Sequence, residues 1–367
     1  MPIKALQRFA LSLTATLLLT LTNHAPAKAD QELNNMIGQM LMLGFQGASA
    51  GSPGAKRLAA QIKRGEVGSV VMLGYNFKSK PAVKGLTNLF KSAAGANKVF
   101  LAVDMEGGSV QRLGKKLGYP RIASARSTAK RLSPTQAKAS FRKLAEISKN
   151  AGFNMNLGPV VDLLVNPNNP VIAKWNRAYS KDPQKTADYA AAFVESHNEL
   201  GVITVLKHFP GHGSSSGDSH HGFVNITKSW TKKELEPFKT LIKAGKAPAI
   251  MPGHLVHSQI AKDGVPVSIS KPAIQGLLRR DLGYNGLVIS DDLQMGAIAS
   301  NYGYKNTLIR AVNAGVDILM ISNSRKPDPN LPRKTIQIIA DAVKAGKISR
   351  STIEAAHQRI QTAKNKI

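Results

Sequence analysis

Eight short apolar runs separate lysine- and alanine-rich segments of helical spacing, and five of the runs end in charged or imidazole side chains. These observations predict an α/β fold, a (β/α)8 TIM-type barrel in a single domain. In chain order the runs are Met40–Phe45, Ser69–Leu73, Val99–Asp104, Asn154–Leu163, Ile203–Phe209, Ala249–His254, Gly286–Asp292 and Asp317–Ser322. Each is short, rich in Val, Ile, Leu or Met, and apolar on both faces, the pattern of a strand covered on both sides in a parallel sheet. Between them, segments such as Pro134–Ala151, Pro183–Leu200 and Asn306–Ala314 space Ala, Leu, Ile and Phe as a helix does. A barrel needs about 250 residues, so roughly 90 remain for enlarged loops. A doubly wound open sheet is the alternative arrangement of the same elements.

Residues 1–29 read as a leader. Lys4 and Arg8 precede an apolar run from Phe9 to Leu21, and Ala27-Lys28-Ala29 places small residues where a signal peptidase cuts. The run is short for a bilayer span, and no second apolar span follows. The expectation is an exported chain, periplasmic or secreted, with no transmembrane segment after cleavage and a single domain over residues 30–367. The chain has no cysteine, which excludes disulfides, thiol chemistry and lipidation at a cysteine. Its net charge is +28, and the leader carries three of the cations and no anion, leaving +25. A charge of this size attracts polyanions. The cations are dispersed, without aromatic–basic alternation or a helix-turn-helix pattern, so the expected partner is an anionic cell-envelope surface, not nucleic acid.

The polar strand ends locate a site. Asp104, Asp162, Lys207 with His208, His254, and Asp291 with Asp292 lie at or near the carboxyl ends of runs three to seven, the rim where barrels build active sites. Unpaired buried charge is costly, so chance accounts for one or two such ends and not five. The segment KHFPGHGSSSGDSHHG (Lys207–Gly222) adds four of the chain's nine histidines. His208 and His212 are four apart, but Pro210 and Gly211 between them exclude the helix that would put both on one face as metal ligands. A metal-dependent barrel hydrolase remains an alternative. Asp218-Ser219-His220 suits acid–base work: in an extended segment the two side chains share a side, and the carboxylate fixes the tautomer and favours the imidazolium. The Gly213–Gly217 glycine–serine run reads as a tether that lets this pair swing over a substrate.

KHFPGHGSSSGDSHHG, ISDDLQMGAI (Ile289–Ile298) and AVDMEGGSVQRL (Ala102–Leu113) together resemble glycoside hydrolase family 3, and its β-N-acetylglucosaminidases most of all. The likeness runs from about Met36 to Ile321. It implies a catalytic barrel domain over 30–367 with Asp291 as nucleophile and His220 as general acid/base assisted by Asp218. It also implies that Asp104, Arg112, Arg177, Lys207 and His208 bind sugar hydroxyls, with no metal and no organic cofactor. An oxocarbenium-like transition state calls for an anion below the ring and a proton donor at the leaving oxygen; here an imidazole would replace the usual second carboxyl. The implied substrate is a glycan with terminal β-linked N-acetylglucosamine, such as a peptidoglycan fragment. A β-glucosidase of the same family and a non-catalytic wall-binding protein are the other readings.

The segment departs from the family's usual D-Q-E-G-G-R-V at Met105 and Ser109. Glu106 and Asp292, the rival carboxylates, read as partners in backbone or supporting hydrogen bonds, and Asp162 as a loop-fixing residue. His257 reads as structural or solvated. Trp175 and Tyr179, which flank Arg177, read as core, with stacking on a sugar face as the alternative.

Overall fold

The computed structural model describes residues 24–218, 222–324 and 326–367. Residues 1–23 of the predicted leader lie outside these; its last residues begin a helix, His24–Gln39. No described helix is long and apolar enough to cross a membrane.

All eight expected strands form, and all pair in parallel. They are β1 (Leu41–Leu43), β2 (Ser69–Val71), β3 (Phe100–Val103), β4 (Met155–Asn156), β5 (Ile203–Phe209), β6 (Ala249–Pro252), β7 (Leu287–Val288) and β8 (Leu319–Ile321). Each pairs with the next in the chain, and β8 pairs with β1, Leu41 opposite Leu319. The two edges left, β7 and β8, meet through a parallel bridge between Ile289 and Ile318 and the bond from Ser290 N to Ile318 O at 2.9 Å. The sheet therefore closes into the expected barrel and no edge is left unpaired. The runs are longer than the strands they form. The fourth is the extreme case: Pro159 has no N–H to give a ladder, so regular pairing stops at Asn156, and a single bridge from Val160 to Lys207 carries the chain on beside β5.

A helix follows each strand: 53–63, 80–94, 134–150, 183–198, 236–243, 272–281, 304–314 and 331–344. Their starts are written in the sequence. Ser79, Ser133 and Asp182 accept from the backbone N–H three residues on, at 3.3, 3.3 and 2.7 Å, and proline stands in the first turn of each helix. Ser133 and Gln136 complete a capping box, with Ser133 N donating to Gln136 Oε1 at 2.8 Å.

The far end of the barrel, opposite the polar rim, is closed by the last helix, Arg350–Lys364. Lys364 is buried there. Its ammonium donates to Gln39 Oε1 at 2.7 Å, Lys98 O at 2.8 Å and Asn97 O at 3.4 Å, while burial pulls its pKa down to about 7.

Replacing Ser133 or Asp182 by Ala should lower stability by about 1 kcal/mol each, read as a shift of the urea midpoint at unchanged slope. No shift at either position would mean that these caps contribute nothing.

Candidate active site

The rim site begins with how β3 ends. Asn156, on β4, grips the backbone of Met105 from both sides: its Oδ1 accepts from Met105 N at 3.0 Å and its Nδ2 donates to Met105 O at 2.9 Å. Behind it, burial pushes the imidazole of His197 down to about 4, so the ring is neutral. Its Nδ1 donates to Phe193 O at 2.8 Å, which leaves Nε2 to accept from Asn156 at 3.0 Å. Met105 is thus fixed, and the residues on either side of it, Asp104 and Glu106, are aimed by that anchor. Gly107 and Gly108 turn the chain back with φ of +91° and +60°. A Cβ on Gly107 would lie 2.5 Å from Ala123 O, which explains the glycine there.

Charged groups from three segments converge on these carboxylates. Lys207, from β5, reaches Asp104 Oδ1 at 3.0 Å and Glu106 Oε1 at 2.8 Å. Arg177, from the long β4 loop, holds Glu106 with two parallel bonds, both 2.8 Å, the strongest geometry for such a pair. Arg112 stands 3.6 Å from Asp104 Oδ2. Burial opposes the charges of Glu106, Arg177 and Lys207. For Glu106 the cations Arg177 and Lys207 outweigh it and hold the carboxyl far below its usual range. For Lys207 the carboxylates Glu106 and Asp104 outweigh it and hold the ammonium above its own. With both oxygens committed and its side chain almost fully enclosed, Glu106 is not available to attack a substrate.

Asp162 organises the next stretch. It is wholly buried, and its Oδ1 accepts from the backbone N–H of His208 at 3.0 Å and of His212 at 2.8 Å, while Oδ2 meets His208 Nδ1 at 2.7 Å. Burial raises such a carboxyl, but the imidazole of His208 and the donated N–H bonds bring it below its usual value. His212 goes the other way: burial pushes it down to about 4, and its Nδ1 lies 2.6 Å from Ser215 Oγ. It is a neutral structural ring near neutral pH. Asn169, fully buried, ties this turn to the β4 loop: Nδ2 donates to His212 O at 2.7 Å and Ser215 Oγ at 3.0 Å, and Oδ1 accepts from Val171 and Ile172 N–H. Glu234 lies beneath. Its Oε2 accepts from Ser214 N at 3.1 Å, its Oε1 has no hydrogen-bond partner among the described residues, and burial raises its carboxyl to about 7.

These clamps correct one expectation. The Gly213–Gly217 run is not a free tether along its length. Ser214 and Ser215 are buried, and a Cβ on Gly213 would meet Leu163 O at 1.9 Å. Gly213 is there for close approach, and the chain leaves the clamps only after Ser215. A second correction concerns Trp175, which is 51% exposed and not core. Asn176, at φ +55°, bends the chain so that Trp175 faces out while Ala178 and Tyr179 are buried. His254 and His257 are both buried: His254 sits between Ser268 Oγ at 2.6 Å and Asp292 O at 2.9 Å.

One cavity of about 470 Å³ collects the sequence-derived residues. Asp104, Arg112, Arg177, Lys207, His208, Asp218 and Asp291 all line it, with Trp175 and Ser109 at its wall. Met251, Met295 and Met320 supply apolar surface. Asp291, at the end of β7, accepts from Asp292 N at 2.8 Å. Asp292 accepts from Gln294 N at 3.1 Å and Ser322 N at 3.0 Å, and so secures the turn. His220 lies outside the described residues.

A family model described as "Glycosyl hydrolase family 3 N terminal domain" matches residues 32–363. The chain belongs to glycosyl hydrolase family 3. Among its relatives, the β-hexosaminidase of Tolumonas auensis is 34% identical over 273 residues, 72% of this chain and 78% of that protein. The β-hexosaminidase A of Pseudoalteromonas piscicida is 28% identical over 382 residues, 95% of this chain and 64% of its own length. Among solved structures, a family 3 β-N-acetylglucosaminidase from Paenibacillus superposes with TM-score 0.83 at 28% identity, covering 91% of this chain and 62% of that one. The β-N-acetylhexosaminidase of Beutenbergia cavernae gives 0.79 at 27%, covering 91% and 98%. The chain thus spans a little under two thirds of the Pseudoalteromonas and Paenibacillus proteins.

Sequence reasoning missed Asn156, Asn169, His197 and Glu234. All are interior polar groups with no periodic signal. The one clue is composition: an Asn or Glu inside an apolar stretch must be satisfied somewhere.

Replacing Glu106 by Gln leaves Lys207 and Arg177 enclosed without their main counter-charge and should cost about 3–5 kcal/mol by chemical denaturation; a loss under about 1 kcal/mol would mean that solvent screens the pair. Glu234 gives a pH test. A carboxyl with a raised folded-state pKa keeps more protons folded than unfolded, so its contribution is present at low pH and lost as pH rises through about 7. Glu234→Gln should therefore melt increasingly above wild type between pH 5 and 8. A constant difference would show that Glu234 does not titrate there.

Proposed function

We propose that this chain is an exported, retaining, exo-acting β-N-acetylglucosaminidase that removes terminal β-linked N-acetylglucosamine, with peptidoglycan fragments as its substrate. The observation that carries the reading is that Asp291 and Asp218 line one cavity together with Asp104, Lys207 and Arg177. The cavity is of a size suited to a small ligand, and it offers an anion, a cluster of charged hydrogen-bonding groups and a wall from the loop that leads to His220. Asp291 is the carboxylate best placed to act. Glu106 is committed to two cations and Asp162 is sealed under its loop, while Asp292, which also lines the cavity, accepts two backbone N–H groups at Oδ1. The hexosaminidase names of relatives such as that of Tolumonas auensis support N-acetylglucosamine over glucose as the sugar.

In this mechanism Asp104, Arg112, Arg177, Lys207 and His208 hold the hydroxyls of the terminal sugar. Asp291 attacks the anomeric carbon while protonated His220, oriented by Asp218, gives its proton to the departing glycosidic oxygen. The glycosyl–Asp291 ester that results is opened by water, whose proton returns to His220, and the sugar leaves with its configuration retained. The Asp218–His220 pair is net neutral when the imidazole is charged, so it can serve as donor at about pH 6 to 7 without a carboxyl of raised pKa. Export rests on the leader in residues 1–29, and retention at the envelope on the +25 charge of the remaining chain.

The protein should hydrolyse p-nitrophenyl β-N-acetylglucosaminide and release the β-anomer first, as seen by proton NMR. Asp291→Ala should abolish turnover. His220→Ala should slow hydrolysis about 10²- to 10⁴-fold, with less effect on the good p-nitrophenyl leaving group than on a disaccharide. An α-anomer as first product, or equal loss on both leaving groups, contradicts the assigned roles. Faster turnover of the glucoside than of the N-acetylglucosaminide would favour the β-glucosidase reading.

A further inference from the structure

Between Glu66 and Glu146 the chain has fifteen lysines and arginines and only two carboxylates, Asp104 and Glu106. Both carboxylates are taken up on the rim by Lys207. The segment supplies helix 80–94, the turn at 115–117 and most of helix 134–150. One flank of the barrel is therefore left with cations and no free anion of its own.

Six of its lysines form a strip. Lys80, Lys84 and Lys91 occupy positions within about 40° of one another around helix 80–94, spread over about 16 Å of its length. Lys80 lies over the ring of Tyr119 at 4.5 Å, which sets it against the turn that carries Lys115 and Lys116. Lys84 Nζ donates to Asn150 O at 2.9 Å, so the end of helix 134–150, with Lys149, adjoins the strip. All six are exposed, and among the described residues none meets a carboxylate. Toward helix 183–198 the same helix 134–150 is paired instead: Lys138 meets Glu195 at 2.6 Å and Arg142 meets Glu199 at 2.5 Å. The crowding is felt at Lys91, whose ammonium is lowered by burial and then by repulsion from Lys84 and Lys149. An anion laid between these lysines relieves that repulsion.

The residue types narrow the partner. All six cations are lysines, compact point charges on flexible stems, which suit phosphate oxygens and do not impose the planar fork by which arginine reads a carboxylate. The large apolar side chains exposed among the described residues are Tyr75, Val165, Trp175 and Phe223, and none belongs to the strip. A bilayer surface calls for an apolar anchor beside the charge, and a strand of bases calls for rings to stack on. Resting on the reading that the chain is exported, we propose that the strip binds a linear polyol-phosphate polymer of the cell envelope, its phosphodiesters lying along helix 80–94. Envelope retention then belongs to one flank of the barrel and leaves the mouth of the cavity clear.

Calorimetric titration of the full chain with synthetic poly(glycerol phosphate) tests this. Lys91→Gln/Lys115→Gln/Lys149→Gln should weaken binding more than about tenfold at physiological salt and lower the slope of log affinity against log salt by about 2. The matched variant Lys232→Gln/Lys233→Gln/Lys243→Gln removes the same charge from three exposed lysines elsewhere and should bind as the wild type does. Equal losses in the two variants would assign the attraction to the overall field and overturn the strip. No binding by the wild type, or tighter binding to hyaluronan, to a single-stranded oligonucleotide or to phosphatidylglycerol vesicles, overturns it as well. The measurement needs neither turnover nor export, so its failure is distinct from a failure of the hydrolytic reading.

Discussion

The rim depends on the buried contact between Glu106 and Lys207. Neither charge is tolerable alone in so enclosed a place. Together, with Arg177 on the far side of Glu106 and Asp104 sharing Lys207, they form a chain of alternating sign drawn from β3, β5 and the β4 loop. A mismatch of position between any two of these segments would strand a charge, so the cluster sets their relative placement more strictly than apolar contact does. The same cluster leaves Asp104 partly open to the cavity. The structural and the ligand-facing parts of the site are thus neighbouring residues of one strand end, divided by which side of Met105 they occupy.

The loop after β5 follows a related logic. Asp162 gathers two backbone N–H groups, Asn169 gathers two carbonyls and two N–H groups, and Glu234 takes the N–H of Ser214. Irregular backbone can be buried only when its polar groups are met in this way. These contacts involve loop residues up to Ser215; Ser216 is exposed, and Gly217 and Asp218 are half-buried. The proposed proton donor stands five residues after Ser215 in the chain.

Much of this was legible beforehand. The eight apolar runs map onto the eight strands because a strand covered on both faces has no choice but to be apolar throughout, and a charge at its end can only point outward. Caps such as Ser133 and Asp182 were equally local. What stayed hidden was whatever needed a third dimension. Gly213 looked like slack because glycine among serines is also what a linker contains; only the nearness of Leu163 O shows that it fills a tight space. Trp175 looked like core because its neighbours are, and the bend at Asn176 that turns it outward has no signature in composition. Asn156, His197 and Glu234 act through partners distant in the chain, and a single sequence does not say which polar residue meets which.

The lysine sealed into the opposite end of the barrel has a meaning for how this molecule could change over time. Lys364 links the last helix to the first and to the turn before β3 through three oxygen acceptors, none of which touches the rim. Cohesion is thereby stored away from where ligands land. Successive variants could then reshape the mouth of the barrel, lengthening one loop or recharging another, while inheriting intact the closure at its base.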